Sequence, residues 1–284
     1  MKLQNNFFIT QPSLSNAVRD LEREMGIDIF IRNPKGITLT KDGVEFLSYA
    51  RQVVEQTNLL EERYKSHTET RELFSVSSQH YAFVVNAFVS LLKRADMTRY
   101  ELFLRETRTY EIIEDVKNFR SEIGVLFLNS YNRDVLTKMF DDNRLTYTSL
   151  FKARPHIFVS KSNPLAKHEV VSLEDLEDFP YLSYDQGIHN SFYYSEEILS
   201  QIPHKKVHRG FRPRDTLQPI NRLDGYTIAT GILNSNLNGD NIVSIPLDID
   251  DEIDIVYLKH EKATLSKMGE KFLDNLVKEV TFDN

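Results

Sequence analysis

Thr10-Gln11-Pro12-Ser13-Leu14-Ser15-Asn16-Ala17-Val18-Arg19-Asp20-Leu21-Glu22, followed by Ile29-Phe30-Ile31-Arg32 and by Gly36-Ile37-Thr38-Leu39-Thr40-Lys41-Asp42-Gly43, is the stretch on which the architecture turns. Leu14, Val18, Leu21 and Met25 recur at helical spacing, share one face and need a core to dock on. Thr10 is placed to cap this helix and Gly26 to end it. Pro12 is tolerated in the first turn, where an N–H would have no intrahelical partner. The first turn presents Gln11, Ser13, Ser15 and Asn16, short amide and hydroxyl side chains that can bond base edges or phosphates beside the orphan N–H groups of a helix start. Arg19 and Arg23 continue along the outward side. An ordinary amphipathic surface helix shows the same pattern, so the residues that follow carry the weight. Ile29–Ile31 and Ile37–Leu39 predict two short strands joined by the basic turn Arg32-Asn33-Pro34-Lys35-Gly36. A basic loop beside such a helix is well placed to grip a sugar-phosphate backbone.

The 284 residues suit two or three compact units, and 40% hydrophobic content lets each bury a core. No run of eighteen apolar residues and no basic-then-apolar leader is encoded, which predicts a cytoplasmic protein without a membrane partner. Zero Cys excludes disulfides and thiolate metal sites, and the eight His lack ligand-like spacing, so neither a structural metal nor a cofactor is expected. The net charge of −7 argues against a generic polyanion binder, but the charge is unevenly spread. Residues 1–43 hold six basic and five acidic groups, whereas the remainder holds 29 basic and 37 acidic. That asymmetry suits a specific reader with a small footprint.

Thr40 is the expected N-cap of a long helix from about Lys41 to Thr70. Its apolar stripe, Phe46, Val53, Leu60 and Tyr64 beside Leu47, Val54 and Glu61, is too long for a small domain to cover, and a partner helix from a second subunit is the simplest cover. Beyond it, Leu73–Ser77 predicts a strand entering a helix through Ser78, Gln79 and His80. Tyr100–Glu106 predicts a second strand, Thr109–Phe119 a helix and Ile123–Leu128 a third strand, together a parallel α/β sheet. A strand near Pro155–Val159 begins a second lobe, and Ile242–Pro246, Ile253–Leu258 and a helix from Leu265 to Val280 are expected to return to the first. Small ligands bind outside the carboxyl ends of such strands, where helix N-termini face the crevice. Ser77, Ser78 and Gln79 occupy one junction, where they either cap a helix or hold an anion such as a carboxylate; Thr107 and Thr109 occupy the next. In the second lobe Tyr184, Asp185 and Gln186 follow a strand, as do Arg212, Arg214, Asp215 and Thr216. The Arg residues suit either an acidic ligand or a salt bridge. The aromatic run Phe192-Tyr193-Tyr194 is expected to pack rather than line the crevice.

Taken together, these segments resemble the LysR-type transcriptional regulators over nearly the whole chain. The motif Ser162-Asn163-Pro164-Leu165-Ala166 and the pattern Leu173-Glu174-Asp175-Leu176 are further points of likeness. The resemblance implies an α/β protein: an N-terminal winged helix-turn-helix, a long linker helix used for dimerisation, and a two-lobed, periplasmic-binding-protein-like α/β effector domain with a cleft between its lobes. The expected divisions are 1–43 for the winged domain, 44–71 for the linker, and 72–284 for the effector domain, with lobe I at 72–150 and 241–284 and lobe II at 151–240. The DNA-facing set is Gln11, Pro12, Ser13, Ser15, Asn16, Arg19, Arg32, Lys35 and Thr40, with the Arg32 role inherited from the family's wing. The effector set is Ser77, Ser78, Gln79, Thr107, Tyr184, Arg212 and Thr216. Implied partners are double-stranded DNA with a dyad-related operator, a small-molecule effector, a second copy or three further copies of the chain, and RNA polymerase. The resemblance also implies a further helix and most of another ahead of Gln11, where ten residues stand. The expectation is therefore an incomplete winged domain from a longer natural product; a truncated, DNA-silent regulator acting by dimerisation is the alternative.

Two other classes fit less well. For an enzyme there is no triad and no glycine-rich phosphate loop, and the run Asp248, Asp250, Asp251, Glu252 and Asp254 reads as a solvated loop. A small-molecule-binding protein without DNA activity would account for the last 200 or so residues but not for the winged segment.

Overall fold

The computed structural model describes residues 10–34, 36–65, 72–94, 100–210, 220, 223–232 and 241–281. The chain divides into two compact units, one up to Thr70 and one from Arg71 onward.

In the first unit, helix α1 (Gln11–Met25) starts where Thr10 turns extended and its side chain accepts from Ser13 N–H. It stops at Gly26, whose φ of 68° is readily reached only without a Cβ. The antiparallel hairpin β1 (Phe30–Asn33) and β2 (Gly36–Leu39) follows, with Arg32 opposite Ile37. Glu22 joins hairpin to helix, since its Oε1 accepts both Ile29 N–H at 2.9 Å and Phe30 N–H at 3.0 Å. Helix α2 (Lys41–Lys65) is pinned at its start. Thr40 Oγ1 accepts from Gly43 N–H at 2.7 Å and donates to the Asp28 carbonyl at 2.5 Å. A Cβ on Gly43 would stand 2.1 Å from the Ile29 carbonyl oxygen, so this close approach needs glycine. Ile29 is buried; on α1, Val18 and Leu21 of the apolar face are half-buried while Leu14 and Met25 are exposed. The long helix is described to Lys65, and Ser66–Thr70 lie outside the described residues.

The second unit is built on a five-stranded mixed sheet. Its strands are β3 (Glu72–Ser78), β4 (Tyr100–Glu106), β5 (Ile123–Leu128), β6 (Leu145–Ala153) and, late in the chain, β12 (Ile253–His260), in the order β4-β3-β5-β12-β6. Strand β3 runs parallel to β4 and β5, as the alternation of strands and helices predicts, whereas β12 runs antiparallel to both β5 and β6. Strand β5 is buried at every residue, and its side chains alternate between two apolar layers. Val125 and Phe127 face a layer containing α3 (Ala82–Arg94) and α6 (Lys267–Thr281), which pack together with Phe74 and Phe272 rings 5.4 Å apart. Leu126 and Leu128 face α4 (Thr109–Lys117) and α5 (Arg133–Asp142), where Ile112, Ile113, Leu136 and Phe140 are sealed from solvent.

A second sheet has β7 (His156–Ser160) in the middle, between β10 (Thr227–Ala229) and β11 (Ile242–Pro246), all antiparallel. A parallel pair, β8 (Tyr181–Tyr184) and β9 (Val207–Gly210), lies beside it, joined through the Tyr181–Tyr226 bridge. This corrects the expectation that Ile242–Pro246 returns to the first lobe: Ile245 pairs with Ile157, so the chain crosses back only after Pro246. The acidic run is corrected too. Asp248, Asp250 and Glu252 are exposed, but Asp254 is buried, pairs with Arg133 at 3.0 Å and accepts from Ser149 at 2.5 Å, while Asp251 accepts from Asn129 Nδ2. These carboxylates tie β12 to the start of α5 and to β6.

Candidate functional site

On the first unit, Gln11, Pro12, Ser13, Asn16, Arg19 and Arg32 are exposed and Ser15 is half-buried. Ser13 shares a 2.8 Å hydroxyl contact with Thr10, and Arg23 is held by Asp20 at 3.0 Å, which leaves the helix start and Arg19 facing outward. Arg32 extends from β1 of the same hairpin that Glu22 clamps to α1. Thr40 does not join this surface by its hydroxyl, which is committed to Asp28 and Gly43. Lys35 lies outside the described residues.

On the second unit, a cavity of about 90 Å³ lies between the two sheets. His80, Tyr81 and Phe83 of the β3–α3 junction line it from one side, with Phe127 of β5. Tyr184 of β8, Glu196 and Glu197 of the following loop, Phe158 and residues 227–230 line it from the other. Across it, His80 Nδ1 meets Glu196 Oε2 at 2.7 Å, His80 N–H donates to the same oxygen at 3.2 Å, and Gln186 Nε2 donates to Glu196 Oε1 at 3.0 Å. The His80 ring stacks on Tyr184 with centroids 4.1 Å apart. Burial opposes the charge on His80, but the hydrogen bond and charge of Glu196, with the charge of Glu106, leave its pKa above the ordinary value. Burial, with the adjacent Glu196 charge, pushes the Glu197 carboxyl well above the usual carboxylate range.

The sequence-predicted effector residues fall in three places. Tyr184 lines the cavity. Gln79 sits beneath it in a closed network: Tyr81 donates its hydroxyl to Gln79 Oε1 at 2.6 Å, Phe127 N–H donates to the same oxygen at 3.1 Å, and Gln79 Nε2 donates to Thr109 at 2.6 Å. Ser77 and Ser78 are turned away. Ser77 donates to Asp115 at 2.6 Å and meets Ser121 at 2.7 Å, Ser78 donates to the Gln79 carbonyl, and the Ser78 carbonyl accepts from Thr107 N–H at 2.9 Å. The Ser77 hydroxyl ties β3 to the end of α4 and to Ser121, and that of Ser78 holds the adjacent carbonyl, so neither is shown capping α3. Arg212, Arg214, Asp215 and Thr216 lie outside the described residues. Asp185 faces a different partner, accepting from Arg108 Nη2 at 3.1 Å, and the neighbouring rings pack as expected: Tyr193 stacks on Tyr131 at 4.8 Å and Tyr194 meets Tyr110 edge-on. Glu196 and Glu197 were not legible as site residues. An acidic pair after an aromatic run carries no periodic signal, and its partner His80 is 116 positions away.

Residues 5–44 match the family model described as bacterial regulatory helix-turn-helix protein, lysR family, and residues 83–278 match the LysR substrate binding domain. The chain belongs to the LysR family. This is a family of transcriptional regulators rather than of enzymes. The HTH-type transcriptional regulator YvbU of Bacillus subtilis, itself uncharacterized, is 26% identical over 191 residues, which cover 65% of this chain and 60% of YvbU. The chain spans about three-fifths of the length of the curated relatives it matches. Among solved structures, HinK, a LysR family transcriptional regulator from Pseudomonas aeruginosa, superposes with a TM-score of 0.52 at 16% identity, covering 98% of this chain and 91% of HinK. Full-length BenM does so with 0.52 at 18%, covering 98% and 90%. At such identities these likenesses speak for the shared fold. Among the described residues no helix is long and apolar enough to cross a membrane, and no cluster of His, Asp and Glu could hold a metal ion.

Proposed function

We propose that this LysR-family chain is a cytoplasmic, DNA-binding transcriptional regulator whose operator affinity is set by a small molecule held in the second unit. The observation that carries the reading is the exposed N-terminal half of α1, with Gln11, Ser13, Asn16 and Arg19 facing outward, clamped by Glu22 to a hairpin that exposes Arg32. Amide and hydroxyl groups at a helix start suit base edges, and Arg32 suits phosphate. The winged reader spans 1–43, the linker 44–71 and the effector domain the rest. Along α2, Val44, Tyr49, Val53, Val54 and Leu60 are more than half exposed, an apolar stripe that a second copy of the helix would cover. A dimer of this kind reads two dyad-related half-sites, with tetramers and contact to RNA polymerase as further assemblies. The effector occupies the cavity that His80, Tyr184 and Glu197 line together.

The test is fluorescence anisotropy of this chain against the intergenic DNA upstream of its own coding sequence and against a scrambled duplex, at low and physiological salt. Tighter binding to the native fragment at physiological salt is expected. Equal and purely salt-sensitive binding to both duplexes would overturn sequence-specific reading.

A further inference from the structure

The donors at the β3–α3 junction, where an anionic effector would be received, are already engaged. Glu196 Oε2 accepts His80 N–H and faces His80 Nδ1, and Glu196 Oε1 accepts from Gln186. Both members of the His80–Glu196 pair are under a tenth exposed. A ligand carboxylate brought there would meet a buried like charge. Beside the pair stands Glu197, 4% exposed, whose Oε1 accepts Tyr184 N–H at 3.0 Å and whose Oε2 has no hydrogen-bond partner among the described residues. Three buried side-chain atoms of the described residues share that condition, on Glu111, Glu197 and Ser244, and of these three residues only Glu197 lines the cavity. Buried carboxyl oxygens are normally bonded, so this one is open to a donor, and a cationic donor offsets the burial that holds the Glu197 carboxyl above the usual carboxylate range. Among the described residues the lining includes neither Lys nor Arg, while Tyr81, Phe83, Phe127, Phe158 and Tyr184 surround the space with rings of the kind that attract cations.

Resting on the reading of this cavity as the effector cleft, we propose that its ligand is a small primary amine, held as the ammonium ion by Glu197 Oε2 among aromatic rings, and not a carboxylate. At about 90 Å³ the cavity has room for about three water-sized groups, which sets the size of the amine head it accepts.

The experiment is an NMR titration of the full chain with ethylammonium chloride, sodium acetate and ethanol at matched ionic strength, read on the His imidazole signals. Ethylammonium is expected to bind saturably and at least about tenfold more tightly than either other probe, the scale of one charge-assisted hydrogen bond. Glu197→Gln, checked for native circular dichroism, should lose about tenfold in that affinity. Acetate binding as tightly as ethylammonium, absence of saturation by ethylammonium, or unchanged affinity in a folded Glu197→Gln protein would each overturn the assignment. If the variant does not fold, the three probes on the unaltered chain decide alone. The DNA anisotropy measurement separates the two readings. Operator binding without ethylammonium binding overturns this ligand class only, and ethylammonium binding without operator binding overturns the regulator reading only.

Discussion

Asn16 and Arg32 show how two residues on one small surface differ in what they can contribute. Asn16 sits in the second turn of α1 with a planar amide that can pair two atoms of a base edge, whereas Arg32 extends from a strand and can neutralise a phosphate whatever the sequence. Asn16→Ala is therefore expected to weaken native-operator binding by about 1–3 kcal/mol and leave binding to a random duplex unchanged. Arg32→Ala should weaken both alike and lower the salt slope by about one. Anisotropy on both duplexes over a salt series checks the pair; equal losses for Asn16→Ala would remove its base-reading role. Neither side chain is buried, so stability should hardly change in either variant.

At the scale of the element, α2 is the clearest case of a helix whose pattern outruns its own chain. Twenty-five residues long, it exposes Val53 at 65% and Leu60 at 58%, seven positions apart and thus on one side of the helix. An isolated amphipathic helix is marginal in water, so the stripe needs a partner to be stable. The double variant Val53→Glu, Leu60→Glu should shift the protein from dimer to monomer in sedimentation velocity. An unchanged mass would place the dimer contact elsewhere. Element β12 teaches a different lesson. Its apolar run Ile253–Leu258 reads as a buried strand, but its antiparallel insertion between β5 and β6 comes from pairing across a hundred or more positions, as Asp254 does with Leu128 and Ile253 with Ala153.

Across the second unit as a whole, the buried His80–Glu196 pair bridges the two sheet layers, alongside the Arg108–Asp185 and Thr109–Gln186 contacts. Removing one partner of such a buried pair typically costs about 3–5 kcal/mol, and that is the loss expected for Glu196→Ala at pH 6. The folded-state pKa of His80 lies above 6.5, so its contribution is complete below about 6.5 and fades as pH rises through the folded value. The gap between the two proteins should therefore shrink by pH 9. Urea unfolding followed by circular dichroism checks this, since the chain has no Trp. Glu106 and Glu197 face the same cluster and Tyr184 stacks on it, so the difference between variant and parent is the readout, not either curve alone. A gap independent of pH would mean that His80 is neutral in the folded protein.

What could be read in the residues was local. Thr10, Pro12 and Gly26 delimit α1 because capping acts within one turn, and Leu14, Val18, Leu21 and Met25 mark its face because a helix repeats every 3.6 residues. The runs Tyr100–Glu106 and Ile123–Leu128 became strands at those same bounds: the second is a short apolar segment buried along its whole length, and the first is a partly exposed edge strand rich in aromatic and aliphatic residues. Helix α5 and strand β6 escaped notice, since Arg133–Asp142 buries only Leu136 and Phe140 and β6 is an edge strand that is mostly exposed. The reversal of β12, the placing of Ile242–Pro246 in the second sheet and the meeting of Glu196 with His80 belong to the fold alone. Each depends on which distant backbone or side chain satisfies a buried polar group, and that choice is settled by packing between segments a hundred residues apart rather than by the character of either segment.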